Sequence, residues 1–403
     1  MFVISIAALQ RNARILRGVA NDAGCRIVLA LKGFACWKAF PHIRDELDGC
    51  CASGLWEAML ARDHFGKHII TYSPAYDEHD IGELCGFTDH LDFNSLGQWC
   101  RFRDDVMAHP RFTSGALQCG LRINPECSTG ATPLYDPCVA GSRLGITAAQ
   151  LEDADLAGIS GLHFHTLCEQ GADALETTLD AVGRKFGHLL RLPQITYLNM
   201  GGGHWITKPD YDRDRLVRLV KQAKAAYDVE VWLEPGEAAA VHTGVLRARV
   251  MDVFESSGHR LAILDVSATA HMPDVLEMPY RPQVHLVCAE GDPAGHCDAA
   301  APQPAARLAG ESYPQALAAG ATPFTYRLGG PTCLAGDVIG DYAFPRALTP
   351  GDMLVFDDMA HYTMVKTTTF NGVKHPAIAL QHEDGRLEVL REFTYADFRD
   401  RLS

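Results

Sequence analysis

The chain has 403 residues, 47% of them hydrophobic and 21% charged, with a formal net charge of −14. That length exceeds what one hydrophobic core usually supports, so a large domain plus a second one is expected, and the acidic balance argues against nucleic acid or an anionic membrane as partner while suiting a cationic small molecule. No apolar run reaches a membrane span, the apolar start lacks a basic leader, and the 13 cysteines contain no C-x-x-C pair, which reads as buried thiols in a reducing cytoplasm rather than a disulfide frame or zinc site.

From residue 26 to 240, short apolar runs alternate with helical spacing. The runs are Ile27–Leu31, Cys50–Ser53, Ile69–Tyr72, Leu91–Asn94, Leu117–Ile123, Ile159–His165, Ile195–Asn199 and Val229–Leu233. Helical patterns cover Leu55–His64, Ala172–Leu190 and Tyr211–Tyr227, and Thr147 with Gln150 forms a capping box ahead of another. Eight strands alternating with helices predict a parallel (β/α)₈ barrel within the α/β class; a doubly wound sheet is the alternative, which the count disfavours. Beyond Gly244 the spacing changes to period two over Val245–Val253, with further runs near Leu261–Val266 and His285–Cys288. We read residues 8–240 as the barrel, and residues 1–7 with 241–403 as a mostly antiparallel β domain. The Ala-, Pro- and Gly-rich stretch 289–321 reads as a surface excursion.

In such a barrel the strand ends carry the chemistry. The first run ends in Lys32, an amine that is costly to bury and therefore snorkels, caps the strand or reacts. The sixth ends in His163 and His165, the seventh enters Gly201-Gly202-Gly203-His204, and the eighth enters Glu234-Pro235-Gly236-Glu237. Consecutive glycines suit a phosphate, with a tight turn as the competing reading. The His-x-His pair lacks a third ligand at zinc-like spacing, so no metal is read. His165 suits packing on a planar cofactor, and His163 reads as a satisfied core histidine. An amine, a phosphate cradle, an imidazole and a carboxylate together suggest pyridoxal phosphate, with Lys32 as the covalent attachment and Glu234 facing the ring nitrogen.

The segments Ala30-Leu31-Lys32, Gly161-Leu162-His163-Phe164-His165, Gly201–His204, Glu234–Glu237, His271–Tyr280, Gly330–Asp337, His361-Tyr362-Thr363 and Thr369–Gly372 resemble the pyridoxal-phosphate decarboxylases with an alanine-racemase-like barrel and β domain. That group includes the ornithine and diaminopimelate enzymes, and the likeness is nearest to its branch acting on carboxynorspermidine and carboxyspermidine. The resemblance implies that Lys32 carries the cofactor, His165 stacks on it, Gly201 to Gly203 and Tyr362 hold its phosphate, and Glu234 pairs with the pyridine nitrogen. It also implies that Cys333 crosses a homodimer interface to protonate the carbon that has lost carbon dioxide; without the resemblance this cysteine would read as a buried hydrophobe.

Two departures bear on substrate. Ornithine and diaminopimelate decarboxylases have an arginine where this chain has Glu237, and ornithine-type enzymes have an acid where Leu334 follows Cys333. A carboxylate at Glu237 favours distal amines through charge-assisted hydrogen bonds. Asp274, which could also be a turn acid beside Pro273, and Asp337 are the further candidates for substrate binding. The implied reaction is decarboxylation of carboxynorspermidine to norspermidine or of carboxyspermidine to spermidine, with a diaminopimelate- or ornithine-type decarboxylase or a non-catalytic pyridoxal-phosphate-binding protein as alternatives.

Overall fold

A computed structural model describes residues 1–130, 132–278, 280–287, 303–304, 306–307 and 324–403. The chain divides into two compact units, Leu9–Ala240 and a second made of Met1–Ala8 with Val241–Ser403.

The first unit is a closed barrel of eight parallel strands in chain order: β2 (Arg26–Ala30), β3 (Gly49–Ala52), β4 (His68–Tyr72), β5 (His90–Phe93), β6 (Gln118–Arg122), β7 (Ile159–His163), β8 (Tyr197–Asn199) and β9 (Glu230–Leu233). Closure is made by β2 on β9, with Arg26 opposite Trp232 and Ile27 opposite Leu233. The strands read as unbroken apolar runs because both of their faces are covered, and Ile27, Val28, Leu29 and Ala30 are all buried. Val28, Ala30, Cys51, Ile70, Tyr197 and Trp232 fill the interior as one cluster. Helices α2 (Leu55–His64), α6 (Ala172–Leu190) and α7 (Arg213–Tyr227) are among those connecting the strands. The capping box at Thr147 is present, with Gln150 Oε1 accepting the Thr147 amide at 2.9 Å, but it opens a single 3-10 turn, Ala148–Leu151. Leu151 alone of that turn is buried, too little apolar surface to hold a longer helix.

The second unit is built on a mixed sheet. Its longest strand, β10 (Gly244–Ser256), pairs antiparallel with β17 (Met353–Asp357) through its first half and with β11 (His259–Leu264) through its second. The N-terminal strand β1 (Phe2–Ser5) joins it, antiparallel to β10 and parallel to β18 (Ile378–Gln381). Most pairings are antiparallel; β1 with β18 and β11 with β15 (Thr325–Gly329) are the parallel ones among the described residues. Leu246, Ala248, Val250, Leu354 and Phe356 belong to its core. The predicted excursion at 289–321 lies outside the described residues, except for two-residue strands at 303–304 and 306–307.

Candidate active site

Lys32 stands in the turn two residues beyond the end of β2. Its Nζ is 3.1 Å from His165 Nε2, and His165 Nδ1 accepts the Gly202 amide at 3.1 Å. A backbone N–H can only donate, so Nδ1 carries the lone pair and Nε2 carries the hydrogen. Lys32 must then accept that hydrogen, which a neutral amine can do and an ammonium cannot. Burial first, and then the nearby Arg122 guanidinium, push the Lys32 pKa down in the same sense. Burial, Lys32 and Arg122 hold His165 well below the usual imidazole range. An amine kept unprotonated is the form that attacks an aldehyde.

Glu234 follows β9 and is buried. Burial alone would raise its pKa, but the His163 charge and the close polar contacts of His163, Asn199 and Cys51 bring it down to about 2. Asn199 Nδ2 donates to Glu234 Oε1 at 2.6 Å. His163 Nε2 lies 3.5 Å from Glu234 Oε2 and its Nδ1 lies 3.2 Å from Asp92 Oδ2, at ion-pair distance without hydrogen-bond directionality. His163 is thus a core histidine, held between two buried carboxylates.

The glycine loop is tied into the barrel by its own hydrogen bonds. Gly201 donates its amide to Asn199 Oδ1 at 2.9 Å and Gly202 donates to His165. Gly201 and Gly203 take φ of 66° and 86°, and a side chain at Gly202 or Gly203 would overlap the carbonyl of Glu234 or Leu167. The loop therefore locks β8's end against its neighbours, and two of its three amides already have protein acceptors. Glu237 opens the short helix α8 (Glu237–Ala240) and accepts from Trp205 Nε1 at 3.3 Å.

The remaining candidates belong to the second unit. Cys333 is exposed, on a turn whose backbone is tied to Asn371 by the Cys333 amide at 2.9 Å. Tyr362 begins a four-residue helix, Tyr362–Val365. Asp274 Oδ1 lies 2.6 Å from Lys366 Nζ, which also reaches Glu277 Oε2 at 3.2 Å. Asp337 is buried, and its oxygens accept from Ser267 Oγ at 2.9 Å, Thr332 Oγ1 at 2.7 Å and the amides of Thr269 and Thr332 at 3.3 Å. Both of its oxygens have acceptor roles within the protein, and through them it holds the Cys333 turn.

Asp92, His163's charge role, Asn199, Arg122 and Lys366 escaped the sequence reading. A signal existed for two of them. Asp92 interrupts an apolar run, and Arg122 stands at a strand end as Lys32 does; each is a buried charge that demands a partner. Arg122 Nη2 donates to the His165 carbonyl at 3.0 Å, and its guanidinium carbon lies 4.5 Å from the Tyr72 ring centroid.

The donor set fits a cofactor with an aldehyde, a planar ring and a basic ring nitrogen: a neutral amine, a flat imidazole beside it, and a carboxylate held ionised in the interior. Comparison with known proteins points the same way. The family described as pyridoxal-dependent decarboxylase, C-terminal sheet domain, matches residues 2–360. A carboxyaminopropylagmatine decarboxylase of Synechocystis sp. is 44% identical over 402 residues, covering 100% of this chain and 94% of that protein. A carboxynorspermidine/carboxyspermidine decarboxylase of Campylobacter jejuni is 41% identical, covering 98% and 96%. The crystal structure of carboxynorspermidine decarboxylase with norspermidine, from the same species, superposes with a TM-score of 0.82 at 39% identity, covering 100% of this chain and 99% of that one. A diaminopimelate decarboxylase of Helicobacter pylori shares the fold, with a TM-score of 0.79 at 15% identity.

Proposed function

The chain belongs to the pyridoxal-dependent decarboxylases, and from that premise we propose that it removes the carboxylate of a carboxylated polyamine, carboxynorspermidine or carboxyspermidine. The observation that carries the substrate class is Glu237. It is a carboxylate three residues after Glu234, oriented by the Trp205 indole at 3.3 Å, where the amino-acid decarboxylases of the sequence resemblance have an arginine. A cationic tail gains a charge-assisted hydrogen bond there, and an anionic tail is repelled. Asp274 is the second candidate, provided that the substrate amine displaces Lys366.

Pyridoxal phosphate, when bound, supplies the aldehyde that captures the amine and the ring that accepts the electron pair left by departing carbon dioxide. Lys32 would supply the neutral amine for its attachment. His165 would pack against the cofactor's plane, Glu234 would keep its ring nitrogen protonated, and Gly203 would offer its amide to the phosphate, with Tyr362 the further phosphate donor that the resemblance implies. Cys333 gives a proton to the carbon that lost its carboxylate. Its exposure beside Leu334, itself 44% exposed, supports a homodimer in which the thiol serves the partner's site. Eleven described cysteines, all unbridged, suit a cytoplasmic enzyme. Among the described residues no helix is long and apolar enough to cross a membrane.

The relative named for carboxyaminopropylagmatine makes a guanidinium tail the reading to test beside the two amines. Product analysis with carboxynorspermidine, carboxyspermidine, carboxyaminopropylagmatine, ornithine and diaminopimelate decides the matter. Turnover of a carboxylated polyamine well above both amino acids is expected. Preference for diaminopimelate or ornithine would overturn the assignment, and preference for the guanidinium substrate would overturn the two triamines.

A further inference from the structure

We propose that His163, Asp92 and Tyr197 are positioning residues for Glu234, forming a buried relay that holds this carboxylate ionised inside the barrel. The proposal deepens the reading above and rests on it, since it takes Glu234 as the partner of the ring nitrogen.

Both nitrogens of His163 face carboxylates, Asp92 at 3.2 Å and Glu234 at 3.5 Å, in a side chain with 2% of its surface exposed. A neutral imidazole has one N–H and would set its other lone pair against an anion. The imidazolium, a cation at ion-pair distance from both anions, fits the site. Burial opposes that charge, and the two carboxylates outweigh it and raise the His163 pKa. The relay continues through Asp92, whose Oδ1 accepts the Tyr197 hydroxyl at 2.8 Å.

Space for this line of groups is cleared by two strand glycines. A side-chain carbon at Gly120 would overlap Asp92 Oδ1 and the Tyr197 hydroxyl, and one at Gly161 would overlap the Tyr197 ring. Filling the barrel alone would not call for such an arrangement, because an apolar side chain of similar volume does so without desolvating three charges. One imidazolium between two carboxylates leaves a net charge of −1 in the interior, which a protonated ring nitrogen would neutralise. The other groups facing the relay are the Cys51 thiol on β3, the Tyr72 ring edge-on to His163 at 5.3 Å on β4, His90 on β5, Arg122 on β6, Lys32 after β2 and His165 after β7. Lys32 is held neutral, so His163 is the cation that Glu234 meets at ion-pair distance.

The test is titration of the apoprotein with pyridoxal phosphate, followed by absorbance, for wild type, His163→Gln, Glu234→Gln and the double variant. Without the imidazolium, burial is opposed only by the contacts of Asn199 and Cys51, so the Glu234 pKa rises. His163→Gln should then weaken binding roughly tenfold or more near pH 6 and much less near pH 8, a pH dependence that a packing defect would not produce. In the Glu234→Gln background the same substitution should cost nothing further. Tyr197→Phe should show a smaller loss of the same pH sense, and carries the test if His163→Gln does not fold. An equal loss in both backgrounds, or one independent of pH, would overturn the relay alone. Failure of the wild-type chain to bind the cofactor would overturn the relay together with the functional reading beneath it.

Discussion

Lys32 Nζ and His165 Nε2 stand 3.1 Å apart, and the hydrogen between them belongs to the histidine, because the Gly202 amide claims the other ring nitrogen at 3.1 Å. The consequence is a lysine that reacts below the pH at which lysines ordinarily lose a proton. In the apoprotein, brief exposure to pyridoxal phosphate followed by borohydride should label Lys32 ahead of the other lysines. The pH midpoint of its labelling, read by peptide mass spectrometry, should lie well below the usual value of 10.5. A midpoint at that usual value would show that the amine is charged and the assigned tautomer wrong.

Asp337 is predicted to matter for stability rather than for substrate affinity. Asp337→Ala strands a buried donor on Ser267 and partly buried ones on Thr269 and Thr332, at about 2–4 kcal/mol. The turn between Gly330 and Asp337 carries Cys333, so kcat should fall with the urea midpoint while KM stays nearly constant. A raised KM with an unchanged midpoint would return Asp337 to the list of substrate ligands.

The barrel was legible because its strands are buried on both faces and stand out as apolar runs, and because Lys32 broke the pattern at a strand end. What stayed hidden is pairing across the closed sheet. Period-two alternation says that Asp92 and His163 point to one side of their strands, but only closure makes β5, β7 and β9 offer their acids and imidazole to one another. The contacts of Asp337 stayed hidden for a related reason: its partner Ser267 is 70 residues away, and an isolated acid in a glycine-rich turn reads as exposed. At Thr147 the local cap was right and the helix was not, since tertiary burial was missing and Asp153 turns the chain with φ of 59°.

Glu237 should separate polyamine from amino-acid substrates. Glu237→Gln keeps the Trp205 contact and removes the charge, which is worth about 1.5–3 kcal/mol in a charge-assisted hydrogen bond. KM for a carboxylated triamine should rise roughly tenfold to a hundredfold with kcat little changed. Trp205→Phe removes only the 3.3 Å orienting hydrogen bond, so its effect on KM should be smaller. A kcat loss in Glu237→Gln with constant KM would place this carboxylate in the chemistry instead.

Acid should unfold the protein sooner than its carboxylates alone would. Burial lowers His204 from 6.5 to about 4, and burial followed by the neighbouring His375 lowers His271 to about 4 as well. Both are core residues, His204 with its Nδ1 2.6 Å from the Tyr211 hydroxyl and His271 accepting the Ser267 amide at 3.1 Å. The unfolded chain therefore binds protons at these sites from about pH 6.5 downward while the folded chain does not, so stability falls as pH falls from 6.5 toward 4. Each site removes up to roughly 3 kcal/mol at the acid end. His163 runs the other way. Its pKa is raised, so its contribution is fully present below 6.5 and is lost only as pH climbs through the folded value, leaving the decline below 6.5 to His204 and His271. Urea midpoints measured between about pH 7.5 and pH 5 should decline with a slope near one net proton, and His204→Asn should flatten that slope. Midpoints that hold steady to pH 5 would mean that His204 and His271 protonate in the folded chain as readily as in water.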